Sequence, residues 1–440
     1  MRPFAKVEPG EVGSVVLLTA AVFSLLLGYY LLKTAREPLI LLQGGAEAKS
    51  YASAGQSLAL LLIIPAYAAL ARRVGRLRLL VFVYAFFITN LLMFVVALSA
   101  GVKIGVAFYL WVGVFNNTAV AQLWSFANDV YTREQGERLF AILGIGSSVG
   151  AVVGAFVAKQ LAALPVASML FGAVLMLVVC VGLVALVERR ERAALRERRE
   201  REAGAREPAA QPEAEAPLFE GSTLSLLARD RFLLWVALLT FLLNCVNSNG
   251  EYILDRTLLS MLDGVAHDSH RAMREVAAFK ADYFGWVNLV SVLLQLFAVS
   301  RLLGVLGVRR ALFVLPLVAC FSYGSVLFIP VLALIRLGKI AENSLDYSLQ
   351  NTARQAVFLV GTRAEKYVGK TVIDSFIVRT GDVCSALLVL VASRLELPVR
   401  AFALVNLALI ACWLLAVVGL GREHSRRAAS LEASEAGSAS

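Results

Sequence analysis

The sequence predicts an all-α, polytopic membrane protein with about twelve transmembrane helices in two halves of six. Of its 440 residues, 59% are hydrophobic, and the mean hydropathy of +0.73 is far above that of a soluble protein. A transmembrane helix needs about 20 predominantly apolar residues. About twelve windows meet that length: residues 12–42, 50–71, 77–99, 104–127, 139–163, 166–187, 232–255, 276–303, 309–331, 332–359, 368–393 and 399–420.

The first predicted span carries charge where hydrocarbon is expected. Lys33, Arg36 and Glu37 interrupt its apolar sequence near the end. A lysine or arginine at the centre of a membrane costs about 2.5–3.5 kcal/mol on insertion scales, so such residues face a polar path or a partner inside the protein. Charged residues recur in the seventh, tenth and eleventh spans. This pattern favours a transporter with a charged central cavity.

The net charge of +10 predicts an orientation in the membrane. Basic residues cluster between alternate spans and after the last one: Arg72, Arg73, Arg76 and Arg78; Arg301, Arg309 and Arg310; Arg363, Lys366 and Lys370; and Arg422, Arg426 and Arg427. Such loops face the cytoplasm, so both termini are expected there, in a bacterial inner membrane. Each cluster is short and adjoins a span, which argues against nucleic-acid binding.

A charged segment from Glu188 to about Pro217 divides the chain. It begins as a solvated helix that extends the sixth span and continues as a linker. The predicted regions are therefore an N-terminal half (1–187), a cytoplasmic linker (188–231), a C-terminal half (232–421) and a cytoplasmic tail (422–440).

Weak internal repetition relates the two halves. Short matches begin at residues 17 and 238, 73 and 305, and 132 and 362, offset by about 220–232 residues. Two parallel six-helix repeats around a site at the middle of the membrane form the major-facilitator architecture.

The tenth predicted span has the most polar sequence. At about 100° per residue, six side chains fall within a sector of about 80°, and Glu342 lies outside it. The six are Arg336, Lys339, Asn343, Asp346, Gln350 and Arg354. Two interpretations stay open: the stripe lines a substrate cavity, or it forms a structural seam of interhelical ion pairs.

Polar faces also mark three other spans. The seventh carries Asn244, Asn247, Ser248, Glu251 and Asp255, and the fourth carries Asn117, Trp124 and Asn128. In the eleventh, Arg379 is three residues from Asp382 and Lys370 is four from Asp374, spacings that allow ion pairs. These pairs are interpreted equally well as gates, structural locks or ligand contacts.

Other motifs point away from enzymatic chemistry. The glycines from Gly144 to Gly154 lack the Lys-Ser/Thr of a phosphate-binding loop, and small residues four apart allow close helix packing. The three histidines lie outside the spans, and the external loop from Asp263 to His270 is polar throughout. We therefore expect no enzyme, no metal site and no cofactor.

Several short motifs resemble the ATP/ADP antiporter family of bacterial and plastid nucleotide carriers. They cover both halves, and the block around Trp124 is the most specific. The motifs are Leu32-Lys33-Thr-Ala-Arg36-Glu37-Pro-Leu39; Trp124-Ser-Phe126-Ala-Asn128 with Glu137-Arg138-Leu-Phe140; Glu251; Tyr347-Ser-Leu349 with Thr352; and Glu365-Lys366 through Lys370 and Ile373. One position departs from the family: Asp382 follows Gly381, where nucleotide-exchanging members carry lysine.

The resemblance implies nucleotide exchange across the membrane without hydrolysis, by a carrier that we expect to be a monomer. The residues expected to bind substrate are Lys33, Arg36, Glu251, Arg336, Lys339, Arg354 and Arg379. Those expected to gate or line the cavity are Glu37, Asn117, Trp124, Asn128, Asn247, Asp346, Asp374 and Asp382. Two alternatives stay open: a proton-coupled carrier of another phosphorylated or organic anion, with Glu251 or Asp382 taking the proton, and a membrane sensor or scaffold that transports nothing.

Overall fold

The computed structural model describes most of the chain as helix. The described residues are 8, 11–71, 76–202, 230–262, 268–358, 361–362, 365 and 369–438, and among them there is no strand. The predicted all-α class is confirmed. Parts of four predicted regions lie outside the described residues: the basic loops at 72–75 and around 363–368, the linker at 203–229 and the external loop at 263–267.

Fourteen α-helices are described. They are α1 (Val12–Ala71), α2 (Arg76–Ser99), α3 (Gly105–Val130), α4 (Arg133–Leu161), α5 (Ala167–Glu202), α6 (Arg231–Met261), α7 (Ser269–Phe297), α8 (Val299–Ala311), α9 (Val314–Phe328), α10 (Leu332–Leu345), α11 (Asn351–Val357), α12 (Lys370–Val372), α13 (Val378–Arg394) and α14 (Val399–Ser438). Two π-helical turns, Asp346–Gln350 and Ile373–Ile377, connect α10 to α11 and α12 to α13.

Eight of the described helices are long and apolar enough to cross a membrane, or nine if α7 and α8, bent by 78°, form one span. The sequence predicts about twelve, and the difference has physical causes. The first two predicted spans belong to the single helix α1. The ninth predicted span corresponds to α9, which has only 15 residues and is too short to count as a span. The tenth begins with α10, which has only 14 residues and includes the charged residues Arg336, Lys339 and Glu342.

Gly45 interrupts α1 between the first two predicted spans. Its backbone has a φ of 79° and a ψ of 178°, a conformation in which a side chain would be strained. The helical direction therefore changes at this residue although the hydrogen-bonded turns continue on both sides.

The described chain forms two compact units. Unit 1 comprises the described residues within Met1–Gly44, Ala59–Ala214 and Val265–Asn288, and unit 2 comprises those within Gly45–Leu58, Glu215–Gly264 and Leu289–Ser440. Helix α1 thus belongs to unit 2 from Gly45 to Leu58 and to unit 1 on either side of that segment, and α7 changes unit after Asn288. The first part of α7 contributes Ala277 and Ala281 to the apolar core of unit 1.

Glycines set the distance between α1 and α4 in unit 1. A Cβ atom on Gly146, Gly150 or Gly154 would lie 2.5–2.8 Å from a carbonyl oxygen of α1. The three carbonyls belong to Thr19, Phe23 and Leu27, which are also four residues apart. The predicted packing role of this glycine series is confirmed, because only residues without a Cβ allow the backbones to approach so closely.

In unit 2, an ion-pair cluster joins the start of α6 to the C-terminal half of α14. Asp230 caps α6 by accepting a hydrogen bond of 2.8 Å from the Phe232 amide. The guanidinium of Arg427 donates to Asp230 Oδ1 at 2.7 Å and to Glu365 Oε1 at 2.8 Å. Burial raises the pKa of Asp230, but hydrogen bonds involving Glu365, Arg427 and Phe232 and the charge of Arg427 outweigh it and lower the pKa to about 2.

This cluster predicts a loss of stability in acid. Because the Asp230 pKa is lower in the folded chain than in the unfolded one, its stabilisation is complete above about pH 4 and disappears as the pH falls towards 2. We expect the free energy of unfolding in detergent to fall on the order of 1 kcal/mol further in the wild type than in Asp230→Asn over that range, with screening included. Equal pH dependence of the two melting temperatures would contradict this assignment.

Candidate functional site

A group of charged side chains, two buried and two half-buried, lies inside unit 1. We call Lys33, Arg36 and Glu37 of α1, together with Lys280 of α7, the cationic cluster. Arg36 Nε lies 3.1 Å from Glu37 Oε1, and Lys280 Nζ lies 3.5 Å from Glu37 Oε2. The side chains of Glu37 and Lys280 are both 0% exposed. One carboxylate therefore contacts two cations.

The sequence of α1 puts its three members of the cluster together. Residues three and four apart lie on the same side of an α-helix, so Lys33, Arg36 and Glu37 share one face. With Lys280, they carry a net charge of +2, from three cations and one carboxylate. Burying such an excess of charge is unfavourable unless a ligand or partner balances it.

Aromatic rings surround the cationic cluster. Lys33 Nζ lies 4.3 Å from the ring centre of Phe284 and 5.1 Å from that of Tyr30. The Arg36 guanidinium lies 4.4 Å from the ring centre of Tyr109. Aromatic faces stabilise cations when water is excluded, and they also offer stacking surfaces to a planar ligand. The arrangement can thus accept an anion that carries a ring.

The other sequence-predicted residues of unit 1 have separate surroundings. Asn117 donates to the Gly113 carbonyl, 2.9 Å away and one turn earlier on α3. The ring of Trp124 packs edge-on against Phe140 with centres 5.9 Å apart. Asn128 is exposed near the end of α3.

A second polar group lies in unit 2, around Lys339 of α10. Lys339 is 1% exposed and donates to Asn247 Oδ1 at 2.7 Å and to Glu342 Oε2 at 3.3 Å. The Tyr323 hydroxyl donates to the same Glu342 oxygen at 2.9 Å. Lys339 and Asn247, both predicted as site residues, are therefore in direct contact.

Glu251 and Asp346 belong to the same region of unit 2. Asn343 donates its side-chain amide to Glu251 Oε1 at 3.1 Å. Asp346 begins the π-helical turn that follows α10. π-helical turns occur frequently at functional sites, where they change the direction of side chains within a helix.

The two arginines of α11 and α13 each lie close to a carboxylate. Arg354 is 3.7 Å from Asp374, and Arg379 is 3.7 Å from Asp382, as its spacing predicts. Lys370 donates to Gln355, so the predicted Lys370–Asp374 pair is wrong. Arg336 lies one turn before Lys339 on α10 and is half-buried.

Asp382, which departs from the nucleotide-carrier motif, has four polar neighbours in unit 2. Beside Arg379, it accepts hydrogen bonds from Asn244 at 2.9 Å, from Ser248 at 3.1 Å and from Ser57 at 3.1 Å. The side chain that departs from the motif is therefore paired and hydrogen-bonded within unit 2.

The structure adds residues that the sequence-based prediction misses. Lys280 lies in the eighth apolar window, and the signal that could have revealed it is a charged residue at membrane depth. Glu342 falls outside the predicted polar sector of α10 yet contacts Lys339, because residues three apart are neighbours on a helix surface. The buried pair Lys49–Asp255, 2.6 Å apart in unit 2, joins distant sequence positions.

No group of three or more histidine, cysteine, aspartate or glutamate side chains that could hold a metal is found among the described residues. The polar loop at 263–267 is outside them. The polar groups of both units are instead lysine, arginine, amide and carboxylate side chains, which are suited to binding charged organic solutes.

Comparison with known proteins identifies the fold and the family. The model of the Major Facilitator Superfamily matches residues 14–341, and no curated protein sequence matches. Three solved structures are similar over nearly the whole chain. The nucleoside transporter NupG is 10% identical, with a TM-score of 0.59 over 94% of this chain and 98% of its own. A POT family transporter in complex with 5-aminolevulinic acid is 13% identical, with a TM-score of 0.61 over 94% and 96%.

The third structure is a bacterial homologue of the iron transporter ferroportin, 13% identical with a TM-score of 0.59 over 94% of this chain and 100% of its own. Identities this low establish the fold alone. The family model, however, covers well over half of the 440 residues. The chain therefore belongs to the Major Facilitator Superfamily and is a secondary transporter of that type.

Proposed function

We propose that the chain transports a multivalent organic anion and that the cationic cluster binds its negative charge. The observation that carries this proposal is the excess of three cations over one carboxylate in that cluster, in which Lys280 and Glu37 are fully buried and Lys33 and Arg36 are half-buried. Arginine forks and lysine point charges both suit phosphate groups. A phosphorylated metabolite would balance the charge of the cluster, and nearby rings would contact a planar part of the same ligand.

Nucleotide exchange, ATP against ADP by alternating access, is our first candidate. The resemblance of the first-span motif around Lys33 and Arg36 to nucleotide carriers supports it. Both residues belong to the cationic cluster, which has one carboxylate, that of Glu37, for its three cations. Lys339, Arg354 and Arg379 each lie within 4 Å of a different carboxylate. We therefore assign the phosphates to Lys33 and Arg36 before the basic residues of unit 2.

Glu251 would contact the sugar or base of the nucleotide, or would couple substrate binding to the conformational change. Arg336 of α10 would help to bind the phosphates. Exchange of ATP for ADP should be electrogenic, because the two ligands differ by one charge. Both termini are expected in the cytoplasm and the protein in the bacterial inner membrane, as the basic loops predict.

A second candidate is a proton-coupled carrier of an organic anion. Three carboxylates in one region of unit 2, those of Glu251, Glu342 and Asp346, favour this candidate. Carboxylates inside the membrane-spanning part of a transporter can carry the protons that move together with the substrate. Under this hypothesis, uptake rises with a pH gradient and does not depend on internal nucleotide. The hypothesis of a sensor or scaffold predicts no saturable flux at all.

The deciding experiment is uptake of radiolabelled ATP into proteoliposomes, with and without internal ADP. Nucleotide exchange predicts uptake that requires internal ADP, is lost in Lys33→Ala and is unchanged in Lys103→Ala. Lys103 is an exposed lysine of the same unit, so it controls for the loss of a positive charge alone. Absence of ATP uptake under both conditions would reject the nucleotide assignment, and the assay would then be repeated with other phosphorylated and organic anions under a pH gradient.

A further inference from the structure

A half-open cavity of about 380 Å³ lies in unit 2, where the turn between α8 and α9 meets α14. The side chains that line it are either basic or apolar, and none of the described lining residues carries a carboxylate. The basic ones are Arg309, Arg310 and His424, and the apolar ones are Leu306, Val308 and Phe313. The cavity therefore combines positive charge with an apolar wall.

A break in the helix at Gly307 precedes the two arginines. The Gly307 backbone has a φ of 71° and a ψ of 164°, a conformation that residues with a side chain rarely adopt. Arg309 and Arg310 follow in the turn towards α9, and both are exposed. Arg309 donates from Nη1 to the Ser425 hydroxyl of α14 at 2.7 Å, so this contact joins the turn to α14 at the cavity.

The positive charge of the cavity lacks a compensating carboxylate. Glu423 of α14 precedes His424 in the chain, but its carboxylate lies 3.6 Å from Arg427 and is shared with that residue. In the described part of the chain, the Arg310 side chain has no ion pair or hydrogen bond. Two arginines thus face a half-open space that could hold an anion.

An apolar face of α9 begins at this cavity. Phe313, Leu317 and Phe321 are four residues apart and therefore lie on one side of the helix. The side chains of Leu317 and Phe321 are 55% and 78% exposed. Exposed apolar surface of this kind marks contact with a membrane or a partner, and in a membrane-spanning helix it faces the acyl chains. The basic cavity lies at the end of this face, in a loop that we expect at the cytoplasmic boundary of the membrane.

We propose that the cavity binds the phosphate headgroup of one anionic phospholipid from the surrounding bilayer, and that an acyl chain of this lipid lies along Phe313, Leu317 and Phe321. Arginine guanidinium groups donate paired hydrogen bonds to phosphate oxygens. Basic pockets between transmembrane helices on the cytoplasmic side bind anionic lipid headgroups. A soluble anion would use the arginines but would leave the apolar face without a role. The site is independent of the solute that the protein transports, so it goes beyond the proposed function.

The test is native mass spectrometry of the whole purified protein in a neutral detergent, titrated with dioleoyl-phosphatidylglycerol. We expect one saturable lipid site whose affinity falls about tenfold or more in the double variant Arg309→Gln, Arg310→Gln. The matched control is Arg422→Gln with Arg426→Gln, which removes two exposed arginines of α14 that do not line the cavity, and it should bind as the wild type does. If the first double variant is not monodisperse, Arg310→Gln alone is titrated, with a smaller loss expected.

Two further arms separate a lipid from a soluble anion. Dioleoyl-phosphatidylcholine has the same acyl chains and phosphate but no net charge, so it should bind more weakly than phosphatidylglycerol. Inorganic phosphate and glycerol phosphate should not displace the bound lipid, because they cannot contact the apolar face. Equal binding of phosphatidylglycerol to the cavity variants and the control, equal binding of the two lipids, or displacement by free phosphate would overturn the proposal.

Discussion

Replacing Glu37 with glutamine is expected to lower the free energy of unfolding by about 3–5 kcal/mol, because it breaks a buried ion pair and leaves its cations behind. Both carboxylate oxygens of Glu37 are engaged, one with Arg36 at 3.1 Å and the other with Lys280 at 3.5 Å. Glutamine keeps the size of the side chain but removes the charge that compensates both. The loss should therefore exceed that of a surface ion pair, which is typically below about 1 kcal/mol.

Thermal and denaturant unfolding in detergent would measure this effect, with Glu275→Gln as the matched control. Glu275 also lies on α7 in unit 1, but its pair with Arg271 is largely exposed. A double variant, Glu37→Gln with Lys280→Met, should recover part of the lost stability, because it removes a cation together with the carboxylate. Additive effects of the two substitutions would show that the pair is not energetically coupled, contrary to this expectation.

Replacing Gly150 with valine is the second change for which we expect a large effect. The Cβ atom would lie 2.5 Å from the carbonyl oxygen of Phe23, on the backbone of α1. A helix backbone cannot move aside as a flexible side chain can, so α1 and α4 must separate along their contact. We expect destabilisation of about 1–3 kcal/mol or more from this overpacking, with reduced yield of folded protein.

Gly144 supplies the control on the same helix, since a Cβ there meets no heavy atom within 4 Å. Gly144→Ala should be neutral or stabilising by up to about 1 kcal/mol, because alanine has the higher helix propensity. Gly150→Val is thus expected to lower the melting temperature, and Gly144→Ala to leave it unchanged or raise it. A Gly150→Val protein as stable as the wild type would mean that the close approach of α1 and α4 is not required.

Several features of the fold and site follow from local sequence patterns. Apolar windows of membrane length predict the helical, polytopic class, and glycines at every fourth position predict the close contact of α4. The spacing of Lys33, Arg36 and Glu37 predicts a common face on α1. Charged residues after the sixth span predict that α5 continues beyond the membrane, and it extends to Glu202. These properties depend on neighbours within one or two helical turns.

Other features depend on contacts between residues far apart in the chain. Lys280 joins the cationic cluster only because the first part of α7 belongs to unit 1. The π-helical turn at Asp346–Gln350 changes the regular 100° step that defines the polar sector of the tenth span, so the predicted angular positions of the residues after Asp346 no longer apply. The helical wheel describes a regular helix, so it cannot register such a local widening.

The sequence by itself determined that this chain is a helical membrane protein with charged residues inside its apolar spans, since hydropathy and helical periodicity are local properties. Which charge meets which was decided only by the tertiary structure. Glu37 holds Lys280, Asp382 is surrounded by donors, and Lys339 contacts Asn247 because helices from distant parts of the chain pack there. The free energy of a buried charge depends on its partners in space, and separation along the chain does not specify those partners.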